Sequence, residues 1–126
     1  MSVSRILLVF MRAAMAVQVI LGIGFWTGHW ANLVNVHMAI GALFVIALWV
    51  IAGIAAAHGR PGRLVAFGFV WGVVVLALGM TQQRLLIGDL HWMIRVLHLV
   101  VGIAAMPIAE RLAGGREAVA VRAVGD

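Results

Sequence analysis

The chain has 126 residues, of which 65% are hydrophobic and only 10% are charged. A water-soluble domain of this length carries far more charge, so the composition indicates a membrane protein with little room for a soluble domain. The absence of cysteine excludes disulfides, cysteine-bound clusters and haem attached covalently through Cys-x-x-Cys-His. The nine basic residues are all arginine and lie mostly at helix ends, so we expect them to set orientation in a lipid bilayer and not to bind nucleic acid.

Four apolar runs are each long enough to cross a bilayer core, which takes about 20 residues. They predict helices over residues 6–26, 32–57, 64–80 and 90–113. Asp89 is a suitable N-cap for the last helix. We therefore predict an all-α fold, an integral membrane four-helix bundle over residues 1–113, followed by a cytoplasmic tail over 114–126.

The arginines predict the orientation of the bundle. The N-terminal end, the connection over residues 58–63 and the tail carry nearly all of them, whereas the other two connections carry Arg84 alone. The positive-inside rule then places both termini in the cytoplasm of a bacterial-type inner (plasma) membrane. It also places four of the five histidines toward the outer side: His29, His37, His91 and His98.

One pattern occurs twice, in the second and fourth helices. It runs from a His-Trp pair through a further histidine to a glycine four residues later. The two copies are His29, Trp30, His37, Gly41 and His91, Trp92, His98, Gly102. A glutamine and a glycine precede each copy: Gln18 and Gly22, then Gln83 and Gly88. We interpret the copies as two diverged helical hairpins, related by an axis along the membrane normal.

His37 and His98 hold matching positions in this repeat, so we expect them to face each other through the bundle centre. Two neutral imidazoles on opposite sides of one iron are the axial ligands of a b-type haem. Gly41 and Gly102, one turn along each helix, would leave room for the porphyrin. Arg95 lies on the same helix stripe as His98 and nearer the outer surface, where it could pair with a propionate.

The other polar residues of the pattern allow several roles. Gln18 is deep in the first helix and should hydrogen-bond across the bundle, and Gln83 occupies the matching place in the second copy. His29 and His91 lie near the interface, where they could bond to propionates or to a quinol. A second haem between His29 and His91 is the alternative, although it would lie only about 10–12 Å along the helices from the first.

Four short segments carry a resemblance to a known family. They are Gln18-Val-Ile-Leu-Gly22, His37-Met-Ala-Ile-Gly41, Gln83-Arg-Leu-Leu-Ile-Gly88 and His98-Leu-Val-Val-Gly102. Together they resemble the four-helix haem-binding half of the haem A synthase family, and more broadly small four-helix membrane cytochromes b. The resemblance implies axial ligands on the second and fourth helices, which correspond to His37 and His98. The chain is half the family's length and has no carboxylate inside a helix on the outer side, so the resemblance implies haem binding more than haem oxidation.

We therefore expect a membrane b-type cytochrome, which is more an electron-transfer protein or subunit than a self-contained enzyme. A haem b near the outer side would connect a membrane donor, a quinol, with an outer acceptor such as a cytochrome c or a partner subunit. So small a chain is expected to form a homodimer or to belong to a larger membrane complex. The alternatives are a non-redox structural subunit and a copper- or metal-handling protein, the latter using histidines with Met38, Met93 and Met106.

Overall fold

The computed structural model describes residues 2–114, and its regular structure is entirely helical there. The four long helices are α1 (Val3–Trp26), α2 (Val34–Ala57), α3 (Gly62–Thr81) and α4 (His91–Ala113). Short 3-10 turns, Ala31–Leu33 and Gln82–Arg84, precede α2 and follow α3. All four helices are long and apolar enough to cross a membrane, as expected of a multi-pass membrane protein. The prediction of an all-α fold with four such helices is confirmed, while the predicted tail beyond Gly114 lies outside the described residues.

Local capping determines where the first and third helices begin. Each starts two or three residues before its predicted position. At α1, the Ser2 hydroxyl accepts a hydrogen bond from the Arg5 amide at 3.4 Å, which caps the first turn. At α3, the carbonyl of Pro61 accepts from the amide of Leu64 at 2.9 Å, so the helix follows directly on the proline.

The prediction that Asp89 caps α4 was wrong. The N-cap residue is Leu90, and no side chain caps this helix. Gly88 has a positive φ of 100°, and its carbonyl accepts from the His91 amide at 3.0 Å. This glycine turn moves the helix entry one residue along the chain, beyond the reach of the Asp89 side chain as an N-cap.

The helices are arranged around a square. α1 and α3 each contact both α2 and α4, and α2 also meets α4 across the centre. The connections over residues 27–33 and 82–90 lie at one end, which we call the outer end after the predicted orientation. The connection over 58–61 lies at the opposite, inner end, where Arg60 donates to the carbonyl of Arg111 at 2.6 Å near the end of α4.

Small side chains form the core of the inner half. Alanines of α2 and α4 that are at most 3% exposed allow the two diagonal helices to approach closely. They are Ala47, Ala52, Ala55, Ala105 and Ala109. Met11, Leu48 and Ile51 fill the remaining space, and none of the three is measurably exposed. This close packing holds the bundle together below its outer half, where α2 and α4 carry histidines in place of core residues.

Gly68 and Gly72 of α3 fit against large side chains, a use of Gly-x-x-x-Gly spacing that is common where membrane helices pack closely. A Cβ at Gly68 would lie 2.8 Å from Leu112, and one at Gly72 would overlap the indole of Trp49. That indole in turn donates to the carbonyl of Phe69 at 3.1 Å. The two glycines therefore serve helix packing and do not line open space.

The outside of the bundle is largely apolar. Side chains that are at least half exposed occur on every helix, among them Ile6, Ile20, Leu43, Val70 and Val100. Soluble monomers rarely present so continuous an apolar surface. One ion pair crosses this surface, because Arg12 of α1 donates to Glu110 of α4 at 2.8 Å.

Candidate functional site

His37 and His98 meet across the centre of the outer half. His37 lies one turn into α2 and His98 about two turns into α4. Their ring centroids are 6.3 Å apart, and the ring planes are inclined by 52°. The diagonal contact between α2 and α4 thus brings together two histidines that are far apart in the sequence.

The spacing of the two rings suits a shared metal ion. A bond from a metal ion to an imidazole nitrogen is about 2 Å long. A ring made of bonds of about 1.33 Å has each nitrogen about 1.1 Å from its centroid. Two imidazoles bound to one ion from opposite sides therefore have centroids roughly 6.2 Å apart. The observed 6.3 Å matches this value.

A partly open cavity of about 290 Å³ adjoins both rings. All four helices contribute to its wall, and four of the lining residues are glycines: Gly22, Gly41, Gly79 and Gly102. A Cβ built at Gly22 or at Gly102 would meet no atom within 4 Å, so the space beside these two residues is open. The cavity volume lies just below the range typical of small-molecule sites, about 300–1,000 Å³.

Gly41 lines the cavity, but the space where its Cβ would lie is taken by Gln18. A Cβ at Gly41 would lie 2.7 Å from Nε2 of Gln18. That nitrogen donates to the main-chain oxygen of His37 at 3.0 Å. Gln18 therefore makes the hydrogen bond across the bundle that its position in α1 predicts, and Gly41 allows it.

The mouth of the cavity carries the polar residues of the outer end. Arg95, His91, Gln82 and Gln83 all line it. Nδ1 of His91 is 3.1 Å from the carbonyl oxygen of Leu85, which holds the ring at the start of α4. The Arg95 side chain is exposed and lies on the same wall as His98, where an anionic group of a bound ligand would find it.

His29 is not among the residues that line the cavity. Its ring is exposed, and Nδ1 lies 3.1 Å from the hydroxyl of Thr27. The two glutamines of the repeat also differ in position, because Gln18 lies within α1 whereas Gln83 follows the end of α3. The structure thus brings His37, His98, His91 and Arg95 to one cavity and leaves His29 aside.

Two residues that contact the histidines, Phe25 and Gly79, were not predicted from the sequence. Phe25 packs its ring against His37 edge to face, with centroids 5.3 Å apart and planes at 76°. Gly79 makes room for the other ring, since a Cβ there would lie 3.2 Å from Cε1 of His98. Gly79 follows Gly72 by seven residues, a helical spacing that points to one face, but nothing in the sequence identifies His98 as its neighbour.

Neither histidine is held through Nδ1. This atom is buried and has no hydrogen-bond partner in His37 or in His98. Buried polar atoms without partners are uncommon and costly. Within residues 2–114 no group of three or more histidine, cysteine or acidic side chains is arranged to hold a metal ion. A metal ion between the rings of His37 and His98 would therefore have two protein ligands.

The chain has no match among protein families, curated proteins or solved structures. The resemblance to the haem A synthase family therefore stays a prediction. The interpretation of the site rests on the geometry of its own residues.

Proposed function

We propose that the protein is a membrane b-type cytochrome in which His37 and His98 are the axial ligands of one haem b. The observation that carries this proposal is the 6.3 Å separation of the two ring centroids across a glycine-lined cavity. Bound there, a haem supplies one-electron redox chemistry, and the protein sets its potential through ligation and burial.

The number of protein ligands favours a haem over a bare metal ion. A copper or zinc site generally takes three or four ligands from the protein. A porphyrin supplies four of the six ligands of its iron, so two histidines on opposite sides complete the coordination. Arg95, at the cavity mouth, is the residue that would pair with a propionate.

We further propose that the four helices form two repeated hairpins that span a bacterial-type inner membrane with both termini in the cytoplasm. The apolar exterior and the position of the arginines support this orientation. The haem would then lie near the outer side, accessible to a quinol in the membrane and to a cytochrome c or partner subunit outside it. A second copy of the chain or a larger complex would surround the bundle.

Single-cysteine labelling tests this orientation cleanly, because the chain has no cysteine of its own. The two variants are Asn32→Cys and Gly62→Cys. Asn32 is exposed in the turn at the outer end, and Gly62 is exposed at the inner end. In intact cells, a membrane-impermeant maleimide should label the Asn32 variant and should reach the Gly62 variant only after the membrane is opened. Labelling of both variants in intact cells, or the reverse pattern, would contradict the proposed orientation.

Electron transfer is tested with the haem-loaded protein in liposomes. A short-chain quinol should reduce one haem per chain, and oxidised cytochrome c added outside should reoxidise it. Glu110→Gln serves as a control, because its side chain lies at the inner half of α4 and does not line the cavity. If dithionite reduced the haem but a quinol did not, the proposed electron donor would be wrong, whereas the proposed haem site would be unaffected.

A further inference from the structure

Gln18 is joined directly to the residue of one proposed haem ligand. Its Nε2 donates to the main-chain oxygen of His37 at 3.0 Å. Gly41, one turn after His37, leaves the space in which this amide lies. The side-chain amide of Gln18 therefore packs against the first turns of α2, beside His37.

This contact leaves one buried polar atom of each residue without a hydrogen-bond partner. A carbonyl oxygen can only accept, so Nε2 of Gln18 is the donor to His37 and Oε1 is the free end of the amide. Among residues 2–114, four buried side-chain atoms lack a hydrogen-bond partner. Two of the four, Oε1 of Gln18 and Nδ1 of His37, belong to this one hydrogen-bonded pair of residues.

The chemistry of imidazole defines what Nδ1 needs when the ring binds a metal ion. A neutral histidine that ligates through Nε2 carries its proton on Nδ1, and a metal-bound histidine almost always donates that proton to an oxygen. Such a partner fixes the tautomer and the ring orientation and makes the ligand more basic. Oε1 of Gln18 is an oxygen of this kind on the neighbouring helix.

We propose that Gln18 is a positioning residue for His37, and that its Oε1 accepts the Nδ1–H hydrogen bond when Nε2 binds the haem iron. This inference rests on the proposed haem function. Because the Gln18 side chain already contacts the His37 backbone, rotations of the two side chains are the movement that the proposal requires. The bond satisfies two buried atoms at once.

The same arrangement is absent at His98. The ring edge of His98 that holds Cε1 and Nδ1 faces Gly79, whose ideal Cβ would lie 3.2 Å and 3.9 Å from these atoms. Glycine offers no side-chain acceptor, and Gln83 lies beyond the end of α3. The proposal therefore makes the two axial ligands unequal, with His37 the more basic.

The test compares Gln18→Met with Gln18→Glu in the full chain, measuring haemin affinity of the apoprotein and the midpoint potential. Met removes both hydrogen bonds at similar size. An ionised Glu keeps an acceptor for Nδ1–H but cannot donate to the His37 carbonyl. Asn35→Met is the matched control, since Asn35 also carries a side-chain amide but does not line the cavity.

We expect Gln18→Met to weaken haemin binding about 10–100-fold, the range for loss of a partner behind a metal ligand. Gln18→Glu should restore binding and lower the potential relative to Gln18→Met. If Glu favours the ferric over the ferrous state about tenfold more than Met does, the difference is about 59 mV. Asn35→Met should match the wild type in both measurements.

Gly41→Ala gives a second route to the same contact if Gln18→Met folds poorly. Its methyl group would push the amide away from His37 while Gln18 itself remains. Gly41→Ala should weaken haemin binding, as Gln18→Met does.

Three outcomes would contradict the inference. If both Gln18→Met and Gly41→Ala matched the wild type in haemin binding and potential, the role of Gln18 would be overturned, but the haem function would not. A wild type that binds no haemin would overturn the haem function and this inference together. Gln18→Glu no better than Gln18→Met would show that the bond to the His37 carbonyl, not the acceptor, is what matters.

Discussion

Replacing His37 or His98 by alanine is expected to abolish the low-spin haem spectrum of the purified protein. Each substitution removes one of the two proposed ligands, whose ring centroids lie 6.3 Å apart. Loss of a hydrogen-bond partner behind a metal ligand already costs about 10–100-fold in affinity, so loss of the ligand itself should cost more than about 100-fold. The spectrum and the haem content per chain are the measurements.

His58→Ala is the control for both substitutions. His58 follows the last residue of α2, about 30 Å from His37 along the helix, and its Nδ1 lies 2.7 Å from the carbonyl oxygen of Ile54. This variant should keep the wild-type spectrum. If one ligand variant kept a six-coordinate low-spin haem, the remaining histidine would have found another partner and the proposed axial pair would be incorrect.

Filling the cavity should remove haem binding without touching a ligand. Gly102 lines the cavity, and a Cβ built on it meets no atom within 4 Å, so Gly102→Leu places its side chain in open space. Leucine is also the better helix former, by about 0.5–1 kcal/mol. We therefore expect Gly102→Leu to keep its helical content and thermal stability while its haem content falls to near zero.

Gly53→Leu is the matched control for this substitution. Gly53 is also a helical glycine with nothing within 4 Å of its ideal Cβ, but it lies outside the cavity. It should bind haem like the wild type. Circular dichroism and haem content, measured on both variants, decide the matter. If Gly102→Leu bound haem like the wild type, the haem would have to lie outside this cavity.

The sequence is informative about features that depend on length and spacing. Four apolar runs predict four helices, since each run is long enough to satisfy its own backbone in a bilayer. The matching positions of His37 and His98 in the repeat predict that the two residues approach each other, and their ring centroids lie 6.3 Å apart. Periodicity along single helices was sufficient here because both residues point toward the bundle axis.

Contacts between helices were harder to predict. Gln18 occupies the space beside Gly41, and Arg12 pairs with Glu110. Which side chains meet in this way depends on the rotation and axial shift of each helix. Spacing within one helix carries neither quantity. Gln83, which the predicted bounds place after the third helix, does lie beyond the end of α3.

The central claim is that His37 and His98 together bind one haem b, and an optical spectrum of the detergent-purified wild type tests it most directly. The protein is expressed with haem available, and the spectrum is recorded oxidised and then reduced with dithionite. We predict the sharp bands of a low-spin, six-coordinate b-type haem at one haem per chain. A colourless protein that keeps its helical structure and takes up no added haemin would contradict the claim and favour a structural role for the two histidines.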